Sequence, residues 1–328
     1  MTSFSDLAPH QVLDAVEEGL GQPCSNICRP LNSYINRVYE VNLLESDETV
    51  IAKFYRPGRW APAALEEEHD FTRELFELDI PVIAPFRLTN GHTLAQFGGI
   101  TYAIFPKKGG RFLAELNDEQ WLEMGHLIGR LHRAGAGRLA PGRVTLTPDQ
   151  VTRAQVAEIL AGPFLPPELQ ESYARETSAL LALITPLFSD VRLCRLHGDC
   201  HFANLIHRPG ESFFLFDFDD MANGPAVQDF WMLLPGYHHE CLREIELFLE
   251  GYETFHPFDR RQLALIEPLR AMRYIHFCAW CAHQAAAGGV SPTISRDWGS
   301  DSYWRQEIMD LAAQRSRIEN SLTAADNY

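Results

Sequence analysis

The chain has 328 residues, 46% of them apolar, and a formal net charge of −16. That is enough apolar side chain to bury one large core or two modest ones, and two lobes are expected. An acidic excess of this size argues against a nucleic-acid partner, because phosphate-backbone affinity rests on clustered Lys and Arg that release counterions. A cationic substrate or a metal–nucleotide complex suits it better.

The first Lys or Arg is Arg29 and no apolar run has the length of a membrane span, so neither a signal peptide nor a spanning helix is expected, and the expected location is the cytoplasm. Seven cysteines are an odd number, which argues for reduced thiols over a disulfide framework. Cys24/Cys28 and Cys278/Cys281 each lack a second ligand pair at zinc spacing, so they are expected to be small buried hydrophobes.

In chain order, Pro9 opens an amphipathic helix with Val12, Leu13, Val16 and Leu20 on one face. The period then changes. In RVYEVNLL the residues Tyr39, Val41 and Leu43 alternate with Glu40 and Asn42, and after the turn ESDE the run TVIAKFY repeats a β-branched strand pattern, so a hairpin is expected. Residues 63–78 return to helical spacing with Leu65, Phe71, Leu75 and Leu78 inward and an acidic run near the start. Strands are expected at 81–84, 93–97 and 100–105, the last two turned by Gly98-Gly99. FPKKGGRF then reads as a hinge at about 105–111. Beyond it the pattern is mostly helical: an Asn117 cap leads a helix with Trp121, Met124, Ile128 and Leu131 on one stripe. Further helices are expected at 148–160, 167–187, 226–233, 241–254, 260–286 and 303–320. The exception is a pair of short strands, 192–196 and 213–216, joined by a polar loop. The expected order is a small β-rich N-lobe with one long helix (1–106, nucleotide-binding) and a larger, mostly helical C-lobe (107–328, catalytic and substrate-binding), an α+β arrangement with a cleft between.

The chemistry sits in LCRLHGDCHFANLIHRPGESFFLFDFD, residues 193–219. Asp199 and Asn204 are five apart, and Asp217 ends the next hydrophobic strand. This is the layout of a kinase catalytic loop followed by a metal-binding carboxylate: an Asp takes or orients the acceptor's proton, while an Asn and a second Asp hold Mg²⁺ against nucleotide phosphates. Mg²⁺ needs hard oxygen ligands and few of them. A cation for the phosphates is also required, and Lys53 lies inside an apolar strand where a charge needs a partner. Glu68, sharing a face with Phe71 and Leu75, is favoured over Glu67 for that pairing.

HGDCHFAN followed by FDFDD, with the upstream lysine strand, resembles the aminoglycoside phosphotransferase and choline kinase branch of the protein-kinase-like fold, HGD standing where HRD is usual. PLNSYINRVYEV, AKFYRPGRW, EEEHDF, CRLHGDCHFANLI, GPAVQDFWMLL and IEPLRAMR, in this order from about residue 30 to 275, with SYWRQ near 302, resemble the stress response kinase A family. The resemblance implies a bilobal kinase fold and an ATP- and Mg²⁺-dependent Ser/Thr protein kinase of the bacterial cytoplasm, linked to envelope and oxidative stress. Its partners would be ATP and a protein carrying the Ser/Thr acceptor, itself included, with no membrane partner and a monomeric state. Carried over, Asp199 would accept the proton, Asn204 and Asp217 would hold Mg²⁺, and Ser33 would touch ATP. NSYINR lacks the glycines of an ordinary nucleotide-covering loop, so phosphate contacts fall to Ser33, Asn36 or backbone N–H groups. Asp219 stands where a Gly usually follows Asp-Phe, and is a second metal ligand or a loop-orienting group.

The plainer readings are structural. His197 is expected to orient its loop, His201 and His207 to face solvent or backbone, Cys200 to be an inert thiol, Asp229 to cap or brace, and Trp231 to Leu234 and the Trp280/Tyr274 face to be core. Three rival functions remain: transfer to a small alcohol such as an aminoglycoside, choline or homoserine; a metallohydrolase with His197, Asp199, His201 and Asp217 as ligands, which leaves Lys53 and Asn204 without a task; and a pseudokinase scaffold, against which base, metal ligands and lysine are all present together.

Overall fold

The computed structural model describes Phe4 and residues 7–46, 48–286 and 297–325. Helix α1, Pro9–Leu20, starts with proline where a missing N–H costs nothing, buries Val12 and Val16, and stops at Gly21 in the left-handed region. Strands β1 (Cys24–Leu31), β2 (Arg37–Leu43) and β3 (Thr49–Phe54) follow, then helix α2 (Pro62–Glu77) and strands β4 (Ala95–Phe97) and β5 (Ile100–Pro106). They form one antiparallel five-stranded sheet in the order β1-β2-β3-β5-β4. Gly98 and Gly99, at φ 58° and 86°, turn β4 into β5 with the two positive φ values that match strand twist.

Three expectations for this half are corrected. β1 was not legible, since most of its side chains are exposed and no apolar alternation marks it; Cys24 and Cys28 on it are only half-buried. Residues 81–84 are no strand: Val82 makes one bridge to Leu215, and Pro81 and Pro85 remove the donors a ladder needs. Leu78 is 53% exposed, because the helix ends one residue earlier and the chain turns away at Asp79, at φ 56°.

The rest is helical with small strand pairs. Helix α3 (Asp118–Gly135) is capped by Asn117, which accepts from the Gln120 N–H at 2.9 Å while the Gln120 side chain accepts from Asn117 N–H at 3.0 Å; Trp121, Met124, Ile128 and Leu131 are buried as its period requires. A π-helical turn leads into α4 (Arg153–Ala161), and α5 (Pro167–Ile184) ends in a 3₁₀ turn. Strands β6 (Leu193–Leu196), β7 (Leu205–Arg208), β8 (Ser212–Leu215) and β9 (Ala222–Pro225) come next, then α6 (Gln228–Trp231), α7 (Leu242–Glu253), α8 (Ile266–Ala286) and α9 (Asp301–Ala325). The two strands expected here do not pair with each other: β6 pairs with β9 and β7 with β8. The missed partners have only four residues each, too few to show a period of two.

One core joins the sheet to α1; a larger one fills the helical half and takes in Phe71, Leu75, Ile80 and Val82. Helix α2 is therefore seated in the helical half, and Glu74 clamps it there through buried Arg195, at 2.7 and 3.1 Å. After β5, Arg111 exchanges two backbone hydrogen bonds with His207, both 2.9 Å. Among the described residues no helix is long and apolar enough to cross a membrane.

Candidate active site

Lys53 lies in β3 between β2 and β5, with its side chain 8% exposed. A buried ammonium must find a counter-charge. Its Nζ is 2.7 Å from Asp217 Oδ1 and 3.4 Å from Asp219 Oδ1. Burial alone would lower its pKa, but Asp217 and then Asp219 outweigh that and raise it well above the usual lysine value, so the charge is kept. The expected partner is corrected: Glu68 is buried but its ion contact is with Arg143, 3.8 Å away, and Glu67 accepts from Gly142 N–H at 2.8 Å. Burial, with Asp219 nearby, pushes Glu68 up to about 7 against the pull of Lys53 and Arg143.

The segment after β8 is shaped by Asp217, a non-glycine residue at φ 59°, ψ 66°. Such a conformation costs on the order of 1 kcal/mol and persists only when surroundings impose it. It turns Phe218 inward onto His197 (centroids 4.5 Å) and Phe71 (6.2 Å), while the Asp217 carboxylate stays 47% exposed. Asp219 is buried: its Oδ2 accepts from Arg59 and from Asn36 Nδ2 (3.1 Å). Burial would raise its pKa, but Lys53 and Arg59 lower it. Arg59 also holds Asp220 at 2.6 Å. Asn36 is thereby corrected as a phosphate contact. Its amide joins Asp219 to the Arg56 N–H (3.1 Å) and ties the β1–β2 turn to the acidic loop. Ser33, half-buried in that turn, lines with Asn36, Arg37 and Tyr39 a cavity of about 220 Å³ that neither Lys53 nor Asp217 lines.

The HGD loop leaves β6 at His197. Asp229, fully buried in α6, accepts from His197 N–H at 2.7 Å, Gly198 N–H at 2.8 Å and His132 Nε2 at 3.1 Å. Gly198, at φ 87°, passes so near the acidic loop that a Cβ would lie 2.1 Å from Asp220 O; only glycine fits. His197 Nε2 donates to Phe216 O at 2.8 Å and its Nδ1 accepts from Asp199 N–H at 3.3 Å, so both ring nitrogens orient loops. Asn204 Nδ2 donates to Asp199 O at 2.9 Å, and Phe216 N–H donates to Asn204 O at 3.2 Å. These bonds set Asp199, Asn204 and Asp217 side by side. Asp199 Oδ2 meets His201 Nε2 at 3.2 Å and Oδ1 meets Arg273 Nη1 at 3.1 Å. Burial would raise Asp199, yet the His201 bond and Arg273 charge hold it well below the usual carboxylate range.

Three buried carboxylate oxygens here, Glu68 Oε2, Asp199 Oδ1 and Asp219 Oδ1, have no hydrogen bond. Of these, Asp199 Oδ1 faces Arg273 and Glu68 Oε2 faces Arg143; Asp219 Oδ1, with the half-exposed Asp217 and the oxygen of Asn204, whose nitrogen is committed, makes a donor set of the kind a hard divalent cation takes. Asp219 Oδ2 takes the bonds that orient the loop, while Oδ1, 3.4 Å from Lys53 Nζ, has no hydrogen bond. The hydrolase reading fails: His197 has no free nitrogen, and among the described residues no three His, Cys, Asp or Glu are placed to hold a metal. Cys200 is buried and its thiol pushed up by burial, as expected of an inert group. Asp229 braces. Trp280 departs from the core reading: it stacks on exposed Phe277 (5.9 Å) and meets Tyr34 edge-on (6.1 Å). Arg59, Arg143 and Arg273 were missed; Arg59 and Arg273 stand in the quoted segments AKFYRPGRW and IEPLRAMR, which was the available signal, whereas Arg143 stands outside every quoted segment.

Residues 27–266 match the model of the phosphotransferase enzyme family. Stress response kinase A from Escherichia coli K12 is 36% identical over 318 residues, 97% of this chain and 95% of that one. Serine/threonine protein kinase RdoA from Salmonella typhimurium LT2 is 37% identical over 321 residues, 95% and 94% of the two chains. Among solved structures, amicoumacin kinase hAmiN, in complex with AMP-PNP, Ca²⁺ and Ami, superposes at TM-score 0.70 with 20% identity, over 95% of this chain and 93% of that one. A microcompartment-associated aminopropanol kinase does so at 0.68 with 19% identity, over 95% and 97%. The bilobal kinase-like fold expected from the sequence is thus the fold found, and the chain belongs to the phosphotransferase enzyme family as a relative of stress response kinase A.

Proposed function

We propose that the protein transfers the γ-phosphoryl group of ATP, with Mg²⁺, to a Ser or Thr hydroxyl of a protein, in the stress response for which its relatives are named. The observation that carries the reading is the convergence of Lys53 with Asp217 at 2.7 Å beside the Asp199–Asn204 pair at 2.9 Å. Lys53 is the cation for nucleotide phosphates. Asn204 Oδ1, Asp217 and Asp219 Oδ1 are the oxygens for the metal. Bound there, the ion would neutralise charge on the phosphates. Asp199, held ionised by His201 and Arg273, accepts the acceptor hydroxyl's hydrogen bond and takes its proton as the new bond from that oxygen to the γ-phosphorus forms and the bond from the γ-phosphorus to the departing ADP breaks. Asp229 and Gly198 fix where that carboxylate stands. On this reading residues 1–106 bind the nucleotide, 107–328 supply catalysis and the acceptor site, and 105–111 is the hinge.

A second reading keeps the chemistry and changes the acceptor to a small alcohol. The structural neighbours favour it, since two are named as amicoumacin and aminopropanol kinases. Incubation with γ-labelled ATP and Mg²⁺, alone, with a generic protein and with amino alcohols, separates the two. Label on protein Ser or Thr supports the first, label on alcohols alone the second, and no label with any acceptor refutes both.

A further inference from the structure

Arg143 lies in the loop between α3 and the π-helical turn, far from the motifs, yet it is 4% exposed. Its fork is spent on two other segments. Nε donates to Met221 O at 2.8 Å, Nη2 donates to Asp219 O, and Nη1 donates to Ala64 O on α2 at 3.3 Å. Nη1 also stands 3.8 Å from Glu68 Oε2, an oxygen with no hydrogen bond. The guanidinium plane is packed on Trp60, 4.0 Å from the ring centroid. A planar group with five fixed donors can hold two chain segments at one spacing, where a lysine ammonium cannot.

We propose that Arg143 is a positioning residue for the metal-binding carboxylates. By gripping the carbonyls of Asp219 and Met221 it fixes the backbone that follows Asp217 in its left-handed conformation, and by gripping Ala64 it references that backbone to α2. The inference rests on the metal–nucleotide reading above, though its first test needs neither metal nor nucleotide.

That test is amide hydrogen exchange in the full chain without metal, comparing the wild type with Arg143→Lys, which keeps the charge, and Arg143→Met, which keeps the stem. Both variants are expected to fold while exchange at residues 218–221 rises about tenfold or more. In a second measurement, Mg²⁺ titrated against a fixed concentration of an ATP analogue and read by tryptophan fluorescence is expected to half-saturate at about tenfold higher concentration in Arg143→Lys. In turnover, KM for Mg-ATP should rise with kcat changed by less than about threefold. Melting temperature lowered with exchange at 218–221 and Mg²⁺ half-saturation at wild-type values would overturn the proposal, leaving Arg143 a brace of the fold alone. Failure of both variants to fold would overturn it likewise. A wild-type chain that binds no Mg-nucleotide, with the exchange result as expected, would sink the metal reading and spare the positioning role.

Discussion

Replacing Asp229 by alanine removes the acceptor for two backbone N–H groups at the turn that presents Asp199. Both bonds are short, 2.7 Å from His197 and 2.8 Å from Gly198, and the carboxylate is fully buried. A hydrogen bond to a charged group contributes about 1.5–3 kcal/mol, and a buried donor left unsatisfied costs about 1–3 kcal/mol more. Since these overlap, the expected loss is about 3–6 kcal/mol, a large part of a domain's usual stability of about 5–15 kcal/mol. Asp229→Asn retains one acceptor oxygen but turns an NH₂ toward the second donor, so roughly half that loss is expected. Urea denaturation followed by tryptophan fluorescence gives both values from the midpoint at constant slope. Turnover should fall in both variants, because the loop that aims Asp199 is no longer pinned. A loss under about 1 kcal/mol in Asp229→Ala, or equal losses in the two variants, would show that accepting these two bonds is not what Asp229 does.

Asp199→Asn should leave nucleotide binding, measured by calorimetry, near the wild-type value while turnover falls by roughly 10² to 10⁴, the range for a lost general base; turnover within about threefold of wild type would remove it from that role. Glu68 gives a pH effect. Burial raises it from 4.5 to about 7, so between those values the native state binds more protons than the unfolded chain and stability falls as pH rises. The span corresponds to on the order of 3 kcal/mol. Glu68→Gln, neutral throughout, should lose less stability than the wild type between pH 5 and 7.5 in urea titrations; Glu307, pushed up to about 7 by burial in both proteins, cancels in the difference. Parallel curves for the two proteins would show that Glu68 stays ionised.

What could be read from the sequence was what repeats or what clusters. Asp199, Asn204 and Asp217 stand within one short segment, and their spacing alone suggested an arrangement that the Asn204–Asp199 and Phe216–Asn204 bonds make concrete. Lys53 was legible as a charge in an apolar strand. Its partner was not, because choosing among Glu67, Glu68, Asp217 and Asp219 requires knowing which carboxylates another cation has already engaged. Arg143 engages Glu68 and Gly142 N–H engages Glu67, and both contacts span some 75 residues or more. Asn36 was misread for the same reason: an amide in a turn looks free until Asp219, 183 positions later, is placed against it. β1 was lost because exposure on both faces erases the alternation on which strand reading depends.

The placement of α2 bears on how the site changes when it is loaded. Phe71 and Leu75 belong to the larger core, and Arg195 both pairs with Glu74 and lies 4.3 Å from the Phe71 ring. Helix α2 is thus fixed to the half that carries Asp199, Asn204 and Asp217, and Glu68 with it. Lys53 belongs instead to the sheet, whose separate core includes α1. The sheet reaches the acidic loop through polar contacts: Lys53 to Asp217 and Asp219, and Asn36 to Asp219. Polar contacts exchange partners at little cost when a new charge arrives, whereas a packed apolar contact does not. The sheet is also packed on α2, through Leu65 against Tyr55 and Ala103, so a divalent cation drawing Asp217 away would leave Lys53 to its phosphates while the sheet, α2 and the loop after β6 hold their spacing, and the adjustment would fall on the polar contacts themselves.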